Sequence, residues 1–189
     1  MCEGVNMLEL IEKAEQGAYA WHKGQVRKYT GEPYYFHPKA VVEILKTVPH
    51  TEAMLCAAWL HDTVEDTPCT LNDVRNMCGD DVAVLVEMLT DISKPEDGNR
   101  ATRKAIDREH TAKASPQAKT VKLADLIDNT KSIVTHDPEF AKVYLAEKAL
   151  LLEVLREGDS SLWQLAYGML QHNIDVSSTE CTLSELEQR

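Results

Sequence analysis

Apolar residues near the start of the chain recur at helical spacing. Met7, Ile11, Ala14, Ala18 and Trp21 step by four, three, four and three, leaving Glu12, Lys13 and Gln16 for solvent. This pattern predicts an amphipathic first helix. It breaks over Gln25 to Phe36, where Thr30-Gly31-Glu32-Pro33 forms a turn cluster followed by three aromatics, so the segment reads as an irregular loop. Pro38 restarts a helix at its favoured first position. His37 is pushed towards extended backbone as the N-cap, and the helix runs through Val41, Val42, Ile44 and Leu45 until Pro49. Further helices are predicted at 51–66, 70–78, 80–91, 100–114, 116–134, 138–157 and 160–175, punctuated by Pro68, Pro95, Pro116, Pro138 and Gly158. No stretch shows the sustained alternation of a β-strand, and there is no internal repeat. The expected class is all-α, a single bundle of about eight to ten helices. It spans residues 1–176, with a polar tail over 177–189 in which Thr182 and Glu185 would cap a last short helix.

Composition narrows the class. A chain of 189 residues, 43% hydrophobic and 27% charged, suits one domain that buries its own core. Its net charge of -11 argues against neutralising a nucleic-acid backbone, so a polyphosphate ligand would have to be held by a metal ion and a few local cations. The N-terminus carries acids and no uninterrupted apolar run, which fits neither a signal peptide nor an anchor. No stretch approaches the ~20 apolar residues of a membrane helix. The five cysteines, Cys2, Cys56, Cys69, Cys78 and Cys181, are scattered without a CxxC pair, so a disulfide framework or zinc ribbon is not expected and a reducing cytoplasm is.

The chemistry is concentrated in three places. His61-Asp62-Thr63-Val64-Glu65-Asp66 follows the strongly apolar run Met54 to Leu60, so four ionisable groups crowd the end of a buried helix. In helical geometry Glu65 lies one turn beyond His61, and Asp66 one turn beyond Asp62. An imidazole beside a carboxylate suits a divalent cation of intermediate hardness, and the next turn's acids could handle protons. A lone His-Asp pair is more often a capped helix end; the apolar approach and the following acids weigh against that. The second place is Lys122-Leu123-Ala124-Asp125-Leu126-Ile127-Asp128-Asn129, where Asp125, Asn129 and Ser132 form a polar line beside apolar neighbours. Taken alone, Asp125 reads as exposed or as held by a cation. The third is the loop from Arg27-Lys28 to His37-Pro38, which joins two cations, suited to phosphate or to stacking on a base, with aromatics and a conformationally restricted histidine.

Together the motifs R-K, G-E-P-Y…H-P, H-D-T-V-E-D-T and K-L-A-D-x-x-x-N, in this order over residues 18–155, resemble the HD hydrolase domain of RelA/SpoT homologues and the stand-alone small alarmone hydrolases, including the metazoan type. The resemblance implies an HD-domain helical bundle. It also implies a metal held by His37, His61, Asp62 and Asp125, with Mn²⁺ expected and Fe²⁺ or Zn²⁺ as alternatives. Glu65 and Asp66 match the acidic pair that positions or deprotonates the attacking water. Arg27 and Lys28 match a substrate-facing basic pair, Asn129 and Ser132 polar contacts near ribose and phosphate, and Tyr144 a nucleotide-contacting tyrosine. The implied reaction is hydrolysis of the 3′-pyrophosphate of (p)ppGpp to pyrophosphate and GDP or GTP. Arg100, Arg103, Lys104, Lys122 and Lys131 are candidates for the distal phosphate on charge alone, although solvated helix faces are the commoner use of such residues.

Three features depart from the family pattern: Tyr29-Thr30 intervenes before Gly31, Asp128 stands where many relatives carry an aromatic or imidazole, and Ile92 to Pro116 matches poorly. Two other readings stay open. One is an HD phosphohydrolase acting on ppApp, NADPH or a nucleoside monophosphate. The other is a non-catalytic nucleotide sensor, against which the retained acidic pair speaks. Neither nucleic acid nor membrane is an expected partner; the sequence does not fix the oligomeric state, although exposed apolar positions of the helices at 138–157 or 160–175 could support a homodimer.

Overall fold

The computed structural model describes the backbone of residues 7–187 and the side chains of residues 8–173. Ten α-helices follow one another among the described residues: α1 (Met7–Trp21), α2 (Phe36–Leu45), α3 (Glu52–Leu60), α4 (Thr63–Asp66), α5 (Leu71–Cys78), α6 (Asp80–Leu89), α7 (Arg100–Ala112), α8 (Pro116–His136), α9 (Pro138–Val154) and α10 (Ser160–Glu187). The expected all-α bundle is what the chain forms. Its one extended pairing there is a bridge between Val26 and Pro33, which pins the loop between α1 and α2 around Gly31, whose φ of 70° suits a residue without Cβ.

Helix starts follow local chemistry. The hydroxyl of Thr51 accepts from the Met54 amide, that of Thr70 from Asp73, and that of Ser115 from Ala118, while the Asp137 carboxylate accepts from Phe140. Prolines open α8 and α9 in their first turn. The α3 helix is apolar on nearly every side, with Met54 to Leu60 all buried, and it runs through the middle of the bundle against α1, α2, α6 and α8. The α8 helix crosses the same core with Leu123, Ala124, Leu126 and Ile127 buried. Gly158 lets the α9–α10 turn lie directly on α8: a Cβ there would come within 2.8 Å of Leu123 Cδ1 and 3.1 Å of the Lys119 backbone. These two central helices hold the site.

The structure corrects three details of the predicted elements. The helix expected at 51–66 is broken at His61-Asp62 into α3 and α4. The Thr63 hydroxyl donates to the Leu60 carbonyl (2.7 Å) and the His61 Nδ1–H to the Ala58 carbonyl (2.8 Å), so side chains engage carbonyls at the point where the helix ends. His37 is not an N-cap: Tyr35 takes that place, and His37 lies inside the first turn of α2, which ends at Leu45 rather than near Pro49. The last helix continues beyond 175 to Glu187; the side chains of Thr182 and Glu185, the expected capping pair, lie outside the described residues.

Candidate metal centre

The break after α3 turns His61 and Asp62 inwards to face the first turn of α2 and the middle of α8. His37, from α2, places Nε2 at 3.2 Å from His61 Nε2, 3.3 Å from Asp62 Oδ2 and 3.3 Å from Asp125 Oδ1. His61 Nε2 lies 3.0 Å from Asp62 Oδ2 and 3.8 Å from Asp125 Oδ1. The two imidazoles are buried, at 2% and 1% exposure, and Asp125 is buried beside them. His37, His61 and Asp62 form a compact set of potential metal ligands, and Asp125, from a third stretch of chain, places Oδ1 beside both histidines of that set.

The outer contacts fix the orientation of these donors. The Nδ1–H of His37 donates to Asp128 Oδ2 (2.7 Å), and that of His61 donates to the Ala58 carbonyl. Both Nε2 atoms then face inwards, the arrangement that orients histidine ligands in metal sites. The Tyr34 hydroxyl donates to Asp62 Oδ2 (2.6 Å), and the Asn129 amide donates to Asp125 Oδ1 (2.6 Å). Lys122 Nζ stands 3.2 Å from the other Asp125 oxygen, and Arg27 pairs with Asp128 at 2.9 Å.

Electrostatics of this cluster call for positive charge. Burial opposes ionisation of Asp62 and Asp125, yet the histidines, with Lys122 at Asp125, hold both well below the usual carboxylate range. In turn, burial opposes protonation of the imidazoles and the carboxylates overcome it, so His37 is held well above its ordinary value and His61 is pushed up to about 9. A divalent cation can replace the protons that these rings otherwise need. Two imidazole nitrogens and two carboxylates, oriented by outer hydrogen bonds and spaced as ligands of one ion are spaced, fit such a cation.

The acidic pair sits just outside. Glu65 Oε2 accepts from the Asp91 amide (3.2 Å), and partial burial together with the Asp91 carboxylate pushes its acid up to about 7. Asp66, from the same short helix, is raised by burial and by Asp62.

The remaining candidates spread over more than one environment. Arg27 faces the centre through Asp128. Lys28 is largely exposed, 3.7 Å from Asp137 and 4.6 Å from the Tyr29 ring. Asn129 touches Asp125, and Ser132 lies half-buried two turns along α8 from that carboxylate. Tyr144 is 4% exposed, with its hydroxyl 3.3 Å from Thr130. Of the cations considered for a distal phosphate, Arg100 is engaged by Glu147, Lys104 by Asp91, and Lys131 is exposed. Sequence reasoning missed the roles of Tyr34 and Asp128 as orienting groups. The sequence offers only proximity, with Tyr34 three residues before His37 and Asp128 three beyond Asp125; the pairings themselves form across the fold.

Comparison with known proteins agrees with this geometry. The HD domain profile matches residues 14–152. The guanosine-3′,5′-bis(diphosphate) 3′-pyrophosphohydrolase MESH1 of Xenopus tropicalis is 39% identical over 137 residues, covering 69% of this chain and 73% of that protein. The GTP pyrophosphokinase of Streptomyces coelicolor is 41% identical over 127 residues, and there the chain spans 15% of the relative's length. Among solved structures, a metazoan ortholog of SpoT described as hydrolysing ppGpp superposes with a TM-score of 0.78 at 30% identity, covering 86% of this chain and 94% of that one. The helical order, the converging His-Asp set and these matches agree, and the chain belongs to the HD domain family.

Proposed function

We propose that the protein is a metal-dependent phosphohydrolase that removes the 3′-pyrophosphate of ppGpp or pppGpp, leaving GDP or GTP. The observation that carries the chemistry is the convergence of His37, His61, Asp62 and Asp125 with both histidines oriented through Nδ1. Likeness to the Xenopus hydrolase and to the metazoan SpoT ortholog supports the substrate.

These four residues would hold the cation, with Mn²⁺ the expected ion. When bound, a divalent cation supplies Lewis acidity, lowering the pKa of water and drawing charge from phosphoryl oxygens. The chain does the rest. Water adds to the phosphorus attached to O3′, the P–O3′ bond breaks, and pyrophosphate leaves with the new oxygen. Glu65, with an acid poised at about 7, takes the water's proton near neutral pH, and Asp66 shares in positioning that water. The departing O3′ needs a proton back, which the same acidic pair returns. Asn129, bonded to Asp125, and Ser132 lie on the α8 face proposed to meet ribose and phosphate, and Arg27 and Lys28 would border the base. Tyr144, buried beneath this face, would support it.

No helix among the described residues is long and apolar enough to cross a membrane. We place the activity in a reducing cytoplasm, in keeping with the buried free thiols of Cys56, Cys69 and Cys78. Val143 and Leu150 on α9, with Leu165 and Tyr167 on α10, are exposed and would be the faces of a homodimer. Residues 177–189 are proposed to be dispensable for the chemistry.

The direct test incubates metal-stripped protein with ppGpp, with and without added Mn²⁺, and separates the products by anion exchange. Metal-dependent formation of GDP and pyrophosphate is expected; an inert protein that binds metal would reject the substrate assignment. A second outcome concerns Asp128. Asp128→Asn keeps the shape but weakens the acceptor for His37 Nδ1–H and unpairs Arg27, so metal affinity should fall by roughly 10- to 100-fold, the usual cost of losing such an outer partner. A metal titration with unchanged affinity would show that Asp128 does not orient His37.

A further inference from the structure

Beside Lys122 lies a small cavity of about 40 Å³ walled by the cations Lys104, Arg108, Lys122 and Lys148 and the acids Asp91, Asp107 and Glu147. Its acids are already engaged. Asp91 Oδ2 accepts from Lys104 (2.6 Å), Asp107 accepts from the Ile92 and Ser93 amides and the Ser93 hydroxyl, and Glu147 holds Arg100 through two hydrogen bonds of 2.7 and 2.8 Å. Lys122 is committed to Asp125. Lys148 and Arg108, in contrast, have no ion-pair partner among the described residues, and the Lys148 amine is 5.2 Å from the centre of the Tyr144 ring. A poorly solvated ammonium beside another ammonium is costly without an anion. Burial and neighbouring Lys122 push Lys148 down to about 8, which expresses that cost.

The cavity has room for about three water molecules, which suits one phosphate group and is too small for a nucleoside. It adjoins the reacting centre by two routes. Lys122 both lines it and touches Asp125, while Asp91 lines it and fixes Glu65 through its amide. A phosphate lodged there would lie next to a phosphorus attacked at the metal centre.

We infer that this cavity is the subsite for the outer phosphate of the scissile pyrophosphate unit, with Lys148 and Arg108 as its free cations and Lys122 shared with the metal centre. The inference rests on the proposed hydrolase reading for the identity of the phosphate, though the anion site itself does not. It also accounts for how a chain with net charge -11 holds a polyanion, through a local cationic recess instead of a basic surface.

The test titrates inorganic phosphate calorimetrically into the full-length, metal-loaded protein. Wild type and the control Lys142→Met, an exposed lysine on the same helix, should bind alike. Lys148→Met should bind at least about tenfold more weakly, as expected for loss of one charge-assisted contact, and Lys148→Arg should restore most of the affinity. Phosphate should also raise KM for ppGpp without lowering kcat. Equal affinity in Lys148→Met, or inhibition that does not compete with nucleotide, overturns the subsite. If Lys148→Met fails to fold, Arg108→Met carries the same comparison. Phosphate binding that depends on Lys148 in a protein inert towards ppGpp would sink the alarmone reading and leave the anion site standing.

Discussion

Replacing His61 with alanine is expected to abolish stoichiometric metal binding and turnover together. Its Nε2 is one of four converging donors, and no other described side chain is placed to substitute for it, since Ala58 and the α3 backbone hold the ring by Nδ1. The loss in turnover should be at least about 10³-fold, exceeding the 10- to 100-fold typical of outer-partner changes. Asp125→Asn should behave alike, because it removes a charge that His37 and Lys122 both face. The same geometry fixes the pH dependence. Without metal, His61 carries a proton up to about pH 9. Binding must displace that proton and the one that its neighbouring carboxylates hold on His37, so apparent affinity should rise with pH from neutrality through about 9, with proton release seen as buffer-dependent heats at pH 7. Metal content by elemental analysis, beside far-UV circular dichroism to establish folding, decides the matter. A folded His61→Ala protein that retains one metal and its turnover would remove His61 from the centre.

The fold and the metal centre were not equally legible in the sequence. Helical periodicity located α1 to the residue, and Pro116 and Pro138 marked where α8 and α9 begin, because proline acts locally and its effect survives without tertiary context. The run Met54 to Leu60 gave no face, being apolar all round; that uniformity implied burial but hid the break at His61, which depends on the Thr63 hydroxyl competing for a carbonyl. Proline's preference for the first helical position puts the N-cap of α2 two residues late, at His37 instead of Tyr35, because two amides donating back to Pro33 and Tyr34 start the helix earlier. At the centre, His61, Asp62, Asp125 and His37 could be assembled from motifs. Their orienting partners could not, since a bond such as His37 to Asp128 spans 91 positions and exists only once α2 lies on α8. Lys148 is the extreme case. In the sequence it is one more lysine on a helix, and only the meeting of α7, α8 and α9 makes it a cation without a partner.

Glu65→Gln should separate catalysis from metal binding. Glu65 is not among the converging donors, so metal stoichiometry should be preserved, while turnover should fall by about 10²- to 10⁴-fold, the usual worth of a positioned proton acceptor. Its acid sits at about 7 because partial burial and Asp91 disfavour the charge, and a base works only when ionised. In wild type, kcat/KM should therefore rise with pH through about 7, and in Glu65→Gln that limb should disappear, leaving whatever slope the ligands impose. Stability should move the other way. The folded-state acid lies above the ordinary glutamate value of 4.5, so the folded protein is favoured below that pH relative to the unfolded chain, and this advantage is lost as pH rises through about 7. Glutamine has no charge to bury, so the variant should be at least as resistant to thermal unfolding as wild type at pH 8, by an amount that solvent screening of this partly exposed side chain keeps small. A residue kept for packing would lose stability when altered, whereas a base held uncomfortably near a metal centre should lose activity and gain stability. Turnover within twofold of wild type at saturating metal would assign the proton transfer elsewhere, with Asp66 the next group to examine.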